Sequence, residues 1–350
     1  QNRYVRIFVL TFFIDRVMMS LSNEFNVKLK ERFIMTPTSQ VKILPKKAKN
    51  SRIKERLKNN TSLYILLAPA TILLILFAYV PMYGLLMAFK DYSPALGVSG
   101  SPWVGFKWFI QYFNSYQFWP TILNTLKIAV YSIVFAFTLP IALALICNQI
   151  RVQAFKKFFQ VTTYLPHFIS TMVMCGMILL FLSPSNGLVA NFLGIFNVKM
   201  PDVIGNPNAF ASLYVWSDVW QHVGWNSIIY LAALSAIDPT YYEAATMDGA
   251  SRLQQMIKID LPLLVPTMMI MLILAVGQLL NIGFEKVLLL QNPLNLSGSE
   301  IISTYVYKVG LKSFQYSYST AINLFQTVIN LVILVTVNFI SRRLTKTGLF

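Results

Sequence analysis

The chain has 350 residues, of which 56% are hydrophobic and 12% charged. A soluble globular chain carries about twice that charged fraction, so a soluble protein is excluded. The net charge of +16 is concentrated at one end: residues 1–62 hold 14 Lys/Arg against 4 Asp/Glu, a net of +10.

A basic run ahead of an apolar segment reads as a cytoplasmic anchor facing anionic membrane lipid. A nucleic-acid-binding tail is the other reading of such a run, and no nucleic-acid partner is expected here. Residues 1–34 differ in character from the rest, and Met35 opens a stretch that reads as a normal start. The apolar run Ile7–Ile14 is too short to span a bilayer. It is followed by Asp15 and Arg16 with no small-residue cleavage site, which makes a poor signal peptide. Residues 1–34 are therefore expected to be an upstream extension, with an interfacial helix as the alternative.

Beyond the tail the apolar segments follow in order. Leu63–Phe89 and Ile128–Ile150 contain no charge. Phe158–Val198 contains none either, but Ser183-Pro184-Ser185-Asn186-Gly187 breaks it into a span and a loop. Phe210–Ile237 is interrupted only by Asp218, and Leu261–Phe284 and Ser313–Ser341 complete the set. About 20 apolar residues cross the hydrocarbon core as a helix, and these runs are too long and continuous for alternating barrel strands. The expectation is an all-α polytopic membrane protein with six transmembrane helices, near 63–89, 120–148, 162–183, 210–236, 264–287 and 317–341. A six-helix membrane domain of 63–341 then sits between the tail 1–62 and a C-terminal tail 342–350.

Lys and Arg set the orientation. With the N-terminus inside, the inner segments 149–161, 237–263 and 342–350 carry eight Lys/Arg in 49 residues. The outer loops 90–119, 184–209 and 288–316 carry five in 85. Both termini are therefore expected in the cytoplasm. Trp103, Phe106, Trp108 and Trp119 precede the second span, where aromatic residues suit a membrane interface or the rim of a transport cavity. Cys147 and Cys175 lie in apolar stretches and read as small buried hydrophobes.

The inner segment 238–262 carries the most information. Asp238-Pro239 is a helix start, and Glu243-Ala244-Ala245 are helix formers. Gly249 permits the left-handed backbone of a sharp turn. Leu253, Met256 and Ile257 recur at helical spacing and give the second helix one apolar face. Two short helices between two spans make a docking surface for a cytoplasmic partner.

The pattern Glu243-Ala244-Ala245, three residues, Gly249, nine residues, Ile259, one residue, Leu261-Pro262 resembles the EAA loop of ABC importer permeases. Tyr242 before Glu243, and Asp248-Gly249-Ala250-Ser251 after it, resemble the carbohydrate-uptake branch. Gly283-Phe284-Glu285-Lys286, Asn292-Pro293, Thr304-Tyr305-Val306-Tyr307 and the Arg342-Arg343 ending resemble polysaccharide-type permeases. That group includes LplB-like proteins and alginate or aldouronate permeases, and the likeness covers about residues 60–350.

The resemblance implies a type I ABC importer permease fold in the bacterial cytoplasmic membrane, with a cytoplasmic coupling helix. Glu243, Ala244, Ala245, Asp248, Gly249, Ile259, Leu261 and Pro262 would meet the ATPase. The implied partners are a second homologous permease, two nucleotide-binding ATPase subunits and an extracellular or periplasmic solute-binding protein that delivers an oligosaccharide.

The chain contains no Gly-x-x-x-x-Gly-Lys-Ser/Thr phosphate cradle. ATP and Mg are therefore expected on the partner ATPase, with no cofactor or metal in this chain and no catalysis. His167 and His222 lie 55 residues apart, neither with a second ligand at metal spacing. His167 is expected at an interface, solvated or hydrogen-bonded.

Polar groups inside spans face a cavity or a neighbouring helix. Trp216, Trp220, Asn226, Tyr230, Gln278 and Asn281 have the aromatic faces and amides that bind sugars, and are the candidate pathway residues. Gln278 and Asn281 are expected on one face of the fifth helix, and Glu285 and Lys286 at its outer end. The competing readings are an ABC permease for a non-sugar solute, and an autonomous channel, ion-coupled transporter or membrane enzyme.

Overall fold

Apolar segments of this length must satisfy their backbone groups internally, and they do so as helices. A computed structural model describes residues 60–345. The basic tail up to residue 59, including 1–34, and the last five residues lie outside the described residues. No strand occurs among the described residues; an isolated antiparallel bridge joins Lys90 and Trp103.

The chain divides between Leu86 and Met87 into two units. The first contains α1 (Thr61–Leu74) and the π-turn Ile75–Tyr79. Its Ile65, Leu66 and Phe77 are exposed, as lipid-facing side chains would be.

The second unit begins with α2 (Lys107–Phe113), then α3 (Phe118–Asn148) and α4 (Gln153–Tyr164). α5 (Thr171–Phe181) and α6 (Leu188–Ile195) lead to α7 (Pro207–Ser235). α8 (Thr240–Met247) precedes α9 (Arg252–Gly277), a rod with a π-turn at Met256–Asp260. α10 (Phe284–Leu290), α11 (Ile302–Tyr307) and α12 (Tyr316–Thr345) complete it.

Three packed clusters hold this unit together. Ile128 of α3, Phe210 and Val215 of α7, Cys175 of α5 and Val287 of α10 form one. Ala144 of α3, Leu234 of α7 and Leu264 of α9 form the second. Tyr112 of α2, Ile302 of α11 and Ile322 of α12 form the third. Between helices in lipid, association comes from close packing and hydrogen bonds. Gly224 shows the first: a Cβ there would lie 2.1 Å from the Thr163 carbonyl oxygen, so α4 and α7 approach backbone to backbone.

Four helices among the described residues are long and apolar enough to cross a membrane: Tyr64–Phe89, Phe118–Asn148, Arg252–Gly277 and Tyr316–Arg343. The pair Gln153–Phe168 and Thr171–Phe181 would make a fifth span if taken together. That pair bends by 96°, so the run expected as one helix over 162–183 is broken, with Pro166 and the cap Ser170 at the break. The run expected over 210–236 is one helix of 29 residues, α7, but its Asp218, Gln221, His222 and Asn226 interrupt its apolar character. The run expected over 264–287 is not continuous: α9 ends at Gly277 and α10 starts at Phe284.

Candidate functional site

Two regions hold most of the residues expected to be functional. The first is the segment 238–262. Asp238 Oδ1 accepts from the Thr240 N–H at 2.9 Å, and this bond holds the exposed Asp238 carboxyl below its ordinary pKa. α8 ends where Gly249 adopts φ +75, a conformation other residues reach at a cost of about 1–2 kcal/mol. A Cβ at Gly249 would meet nothing within 4 Å, so backbone conformation rather than space calls for glycine.

Ser251 then opens α9 with a reciprocal cap. Its Oγ accepts from the Gln254 N–H, and its own N–H donates to Gln254 Oε1 at 2.7 Å. Gln255 Nε2 reaches back to Thr246 Oγ1 at 3.0 Å and ties the two helices across the turn.

Beneath this exposed turn lies a buried anchor. Asp260 is fully buried and accepts from the Tyr242 hydroxyl and from Gln149 Nε2 at 3.2 Å. Arg252 Nη1 donates to the Gln149 carbonyl at 3.2 Å, so the loop is fastened to the end of α3. Burial, and then the Asp260 bond, push the Tyr242 hydroxyl well above its ordinary pKa.

Glu243, Ala244, Asp248 and Gly249 are exposed, and Met247 is 88% exposed. Ala245 and Ile259 are half-buried, while Leu261 packs against the second cluster. Pro262 is exposed in the first turn after the π-turn. It has no N–H for the carbonyl four residues back, and the widened turn accommodates that loss. The expected apolar face of the second helix divides: Leu253 and Ile257 are exposed, while Met256 packs inward.

The second region is a cavity of about 400 Å³ between α3, α7, α9 and the turn after α9. Asn226, Tyr230, Gln278 and Asn281 all line it. Trp216 and Trp220 do not. Positions 214, 218, 226 and 230 recur at multiples of four and share the cavity face of α7. Two residues of helix turn the chain by about 200°, which places 216 and 220 elsewhere. Trp216 instead donates to the Tyr131 hydroxyl at 3.0 Å, and Trp220 is half-exposed.

Gln278 and Asn281 do not share a helix face, because the helix has already ended. They sit in an unwound segment, 278–283, with Asn281 Nδ2 donating to Gln278 Oε1 at 3.2 Å. Irregular backbone at membrane depth persists only where protein or a water-filled cavity satisfies it. Here Gln326 Nε2 donates to the Leu280 carbonyl at 2.6 Å, and Asn330 Oδ1 accepts from the Leu280 N–H at 3.2 Å. On the other side the Gly283 N–H donates to the Tyr214 hydroxyl at 3.0 Å. α12 and α7 thus clamp the turn from both sides.

Lys286 stands in the first turn of α10, but inside the fold rather than at a surface. It is buried, with Nζ 3.3 Å from Asp218 Oδ1 and 4.9 Å from the centroid of the Tyr214 ring. His222 Nδ1 lies 3.4 Å from the same Asp218 oxygen. The fold also brings His167 to His222, with centroids 5.3 Å apart, and stacks His167 on Trp225 at 4.3 Å. No group of three or more metal-ligating side chains occurs among the described residues. The signal that could have flagged Lys286 was the lone carboxylate in the fourth apolar run, since a charge at that depth needs a partner.

A family model described as binding-protein-dependent transport system inner membrane component matches residues 136–346. The chain belongs to that family. This permease is 39% identical over 308 residues to the polygalacturonan/rhamnogalacturonan transport system permease protein YteP of Bacillus subtilis, covering 88% of this chain and 96% of that one. It is 38% identical to protein LplB of the same organism, over 84% of this chain and 92% of LplB. Among solved structures it matches a bacterial ABC transporter involved in the import of the acidic polysaccharide alginate. The TM-score is 0.79 at 39% identity, covering 84% of this chain and 99% of the matched one. A second structure of an alginate ABC transporter, in complex with an alginate pentasaccharide-bound periplasmic protein, matches with the same TM-score.

Proposed function

We propose that this permease is half of the translocation pathway of an ATP-driven importer for oligosaccharides or polysaccharide fragments, delivered by a solute-binding protein. The observation that carries the substrate class is the near-full-length likeness to YteP and to the alginate importer chain. The cavity suits such a solute. Asn226, Gln278 and Asn281 offer amides to hydroxyls beside the lining Tyr214 and Tyr230.

In this reading the chain crosses the inner membrane six times with both termini in the cytoplasm. The broken runs 162–183 and 264–287 are then single interrupted spans. Residues 1–62 are the basic cytoplasmic tail, 63–341 the permease domain and 342–350 the C-terminal tail. The segment 238–262 is the coupling element, and it presents Glu243, Ala244, Asp248 and Gly249 to an ATPase subunit. A homologous permease completes the pathway, and two ATPase subunits bind ATP and Mg. This chain contributes no catalysis and no cofactor. The rod Arg252–Gly277 joins the two regions, so a push at the loop reaches the unwound segment directly.

Purification from native membranes in mild detergent tests this reading. The expected result is co-purification with a second permease and an ATPase subunit, with ATP hydrolysis that rises when the oligosaccharide-loaded binding protein is added. A chain that purifies alone, with no ATPase following it, contradicts it.

A further inference from the structure

The cavity has a charged pole. Asp218 is the one ionisable carboxylate or base among the described residues that line it. Its Oδ1 takes both Lys286 Nζ at 3.3 Å and His222 Nδ1 at 3.4 Å. Among the described residues no side chain or backbone group bonds Oδ2, which leaves one carboxylate oxygen to accept from a solute hydroxyl. Ser132 Oγ, on the α3 wall of the same cavity, is buried and has no hydrogen-bond partner among the described residues. Asp218 Oδ2 is therefore the unused charged position on the cavity wall.

A purely structural ion pair needs no cavity beside it. Here the carboxylate lines the wall and the ammonium is sealed behind it, only 5% of its side chain being accessible. Lys286 thus acts on whatever occupies the cavity through Asp218, as a balancing charge. Removing Asp218 leaves the Lys286 charge uncompensated, and removing Lys286 leaves Asp218 with only the His222 imidazole beside it, where a charge acts strongly because water is scarce.

We propose that Asp218 and Lys286 are a specificity element of the translocation cavity. Asp218 accepts a sugar hydroxyl, and Lys286 cancels its charge so that carboxylate-bearing sugar units can pass. Asp218 is the binding residue and Lys286 the positioning and charge-balancing one. The inference rests on the oligosaccharide reading given above.

The test uses the full importer, reconstituted with its partner permease, ATPase and binding protein in ATP-loaded liposomes. The probes are tri-galacturonate and its neutral methyl ester, with tri-mannuronate and its ester as a second pair. The readout is the acid-to-ester uptake ratio within each preparation, which a loss of folded protein does not move. K286Q exposes the Asp218 charge and is expected to lower the ratio about tenfold. D218N exposes the Lys286 charge and is expected to raise it by a similar factor. The double variant D218N/K286Q is expected to return to within about twofold of the parent. Each single variant carries its own sign, so recovery of one of them suffices. Ratios that stay put, or move the same way in both single variants, make the pair structural and overturn the inference while leaving the importer reading intact. Uptake of neither pair by the parent overturns the oligosaccharide reading, and this inference falls with it.

Discussion

The coupling segment and the cavity are both polar, but they are built on opposite scales. In the segment 238–262 the contacts that shape the exposed turn are short-range, since Asp238 bonds the Thr240 N–H, Ser251 and Gln254 cap each other, and Gln255 bonds Thr246, while only its anchor at Asp260 and Arg252 reaches the distant Gln149. In the cavity they join residues far apart in sequence, as Gln326 does with Leu280 and Lys286 with Asp218. The turn of the segment presents Met247, Asp248 and Gly249 outward, whereas the cavity turns its polar residues inward. A surface that must fit a partner can be specified by local turns and caps. A passage through a membrane must instead have every irregular backbone group satisfied by neighbouring spans.

The largest expected effect sharpens the docking half of this comparison. Gly249→Asp forces a left-handed backbone on a non-glycine residue and adds charge at the exposed turn. Uptake is expected to fall at least about tenfold, with the protein still present in the membrane at parental level. Normal uptake would break the docking account.

The next effect tests whether the exposed segment depends on its buried anchor. Asp260→Ala removes the acceptor for Tyr242 and Gln149 and leaves half-buried donors unpaired. A loss of about 3 kcal/mol is expected, measured as a fall in thermal stability of the purified complex. A change within experimental scatter would mean that the loop is held by something other than Asp260.

A smaller loss is expected at the cavity. Gln326→Leu strips the Leu280 carbonyl of its donor, at a cost of about 1–3 kcal/mol. Asn330 still holds the Leu280 N–H, so the turn is weakened rather than released. An unchanged melting temperature would show that the unwound segment does not need the clamp from α12.

The smallest effect is pH-dependent. The Tyr242 hydroxyl is held above its ordinary pKa of 10.0 in the folded protein. Its stabilising contribution is therefore fully present below about pH 10 and is lost as pH rises toward the raised folded value. Tyr242→Phe is expected to cost about 1–2 kcal/mol at neutral pH, and the gap to the parent should narrow above pH 10. A gap that stays constant through that range contradicts the Tyr242–Asp260 anchor.

The same contrast of scale explains what was legible in the sequence. The turn at Gly249 could be read from neighbouring residues and stands in the structure; Asp238 does bond the Thr240 N–H, but the helix starts one residue later than expected, with Pro239 at the cap position. The reciprocal cap of Ser251 and Gln254 has an equally local signature and was passed over. The cavity was only half legible. Asn226, Tyr230, Gln278 and Asn281 were selected for their chemistry, and the fold does bring them to one space.

Trp216 and Trp220 were selected for the same chemistry, but helix phase directs them elsewhere. The break at 278–283 was hidden because its residues are apolar enough to extend a span, and its cause lies 45 to 50 residues away in Gln326 and Asn330. Lys286 was misplaced for the same reason: its partner is 68 residues upstream on another helix.

The central claim is that the exposed turn after α8 meets an ATPase subunit, and cross-linking tests it most directly. Met247 is 88% exposed, while the native Cys147 and Cys175 are 1% and 2% exposed, so a Met247→Cys variant carries one accessible thiol among the described residues. With a thiol-reactive photo-cross-linker attached, the assembled importer should give a covalent adduct with the ATPase subunit, and nucleotide should change its yield. Adducts only with the second permease or the binding protein, and none with the ATPase, would contradict the account.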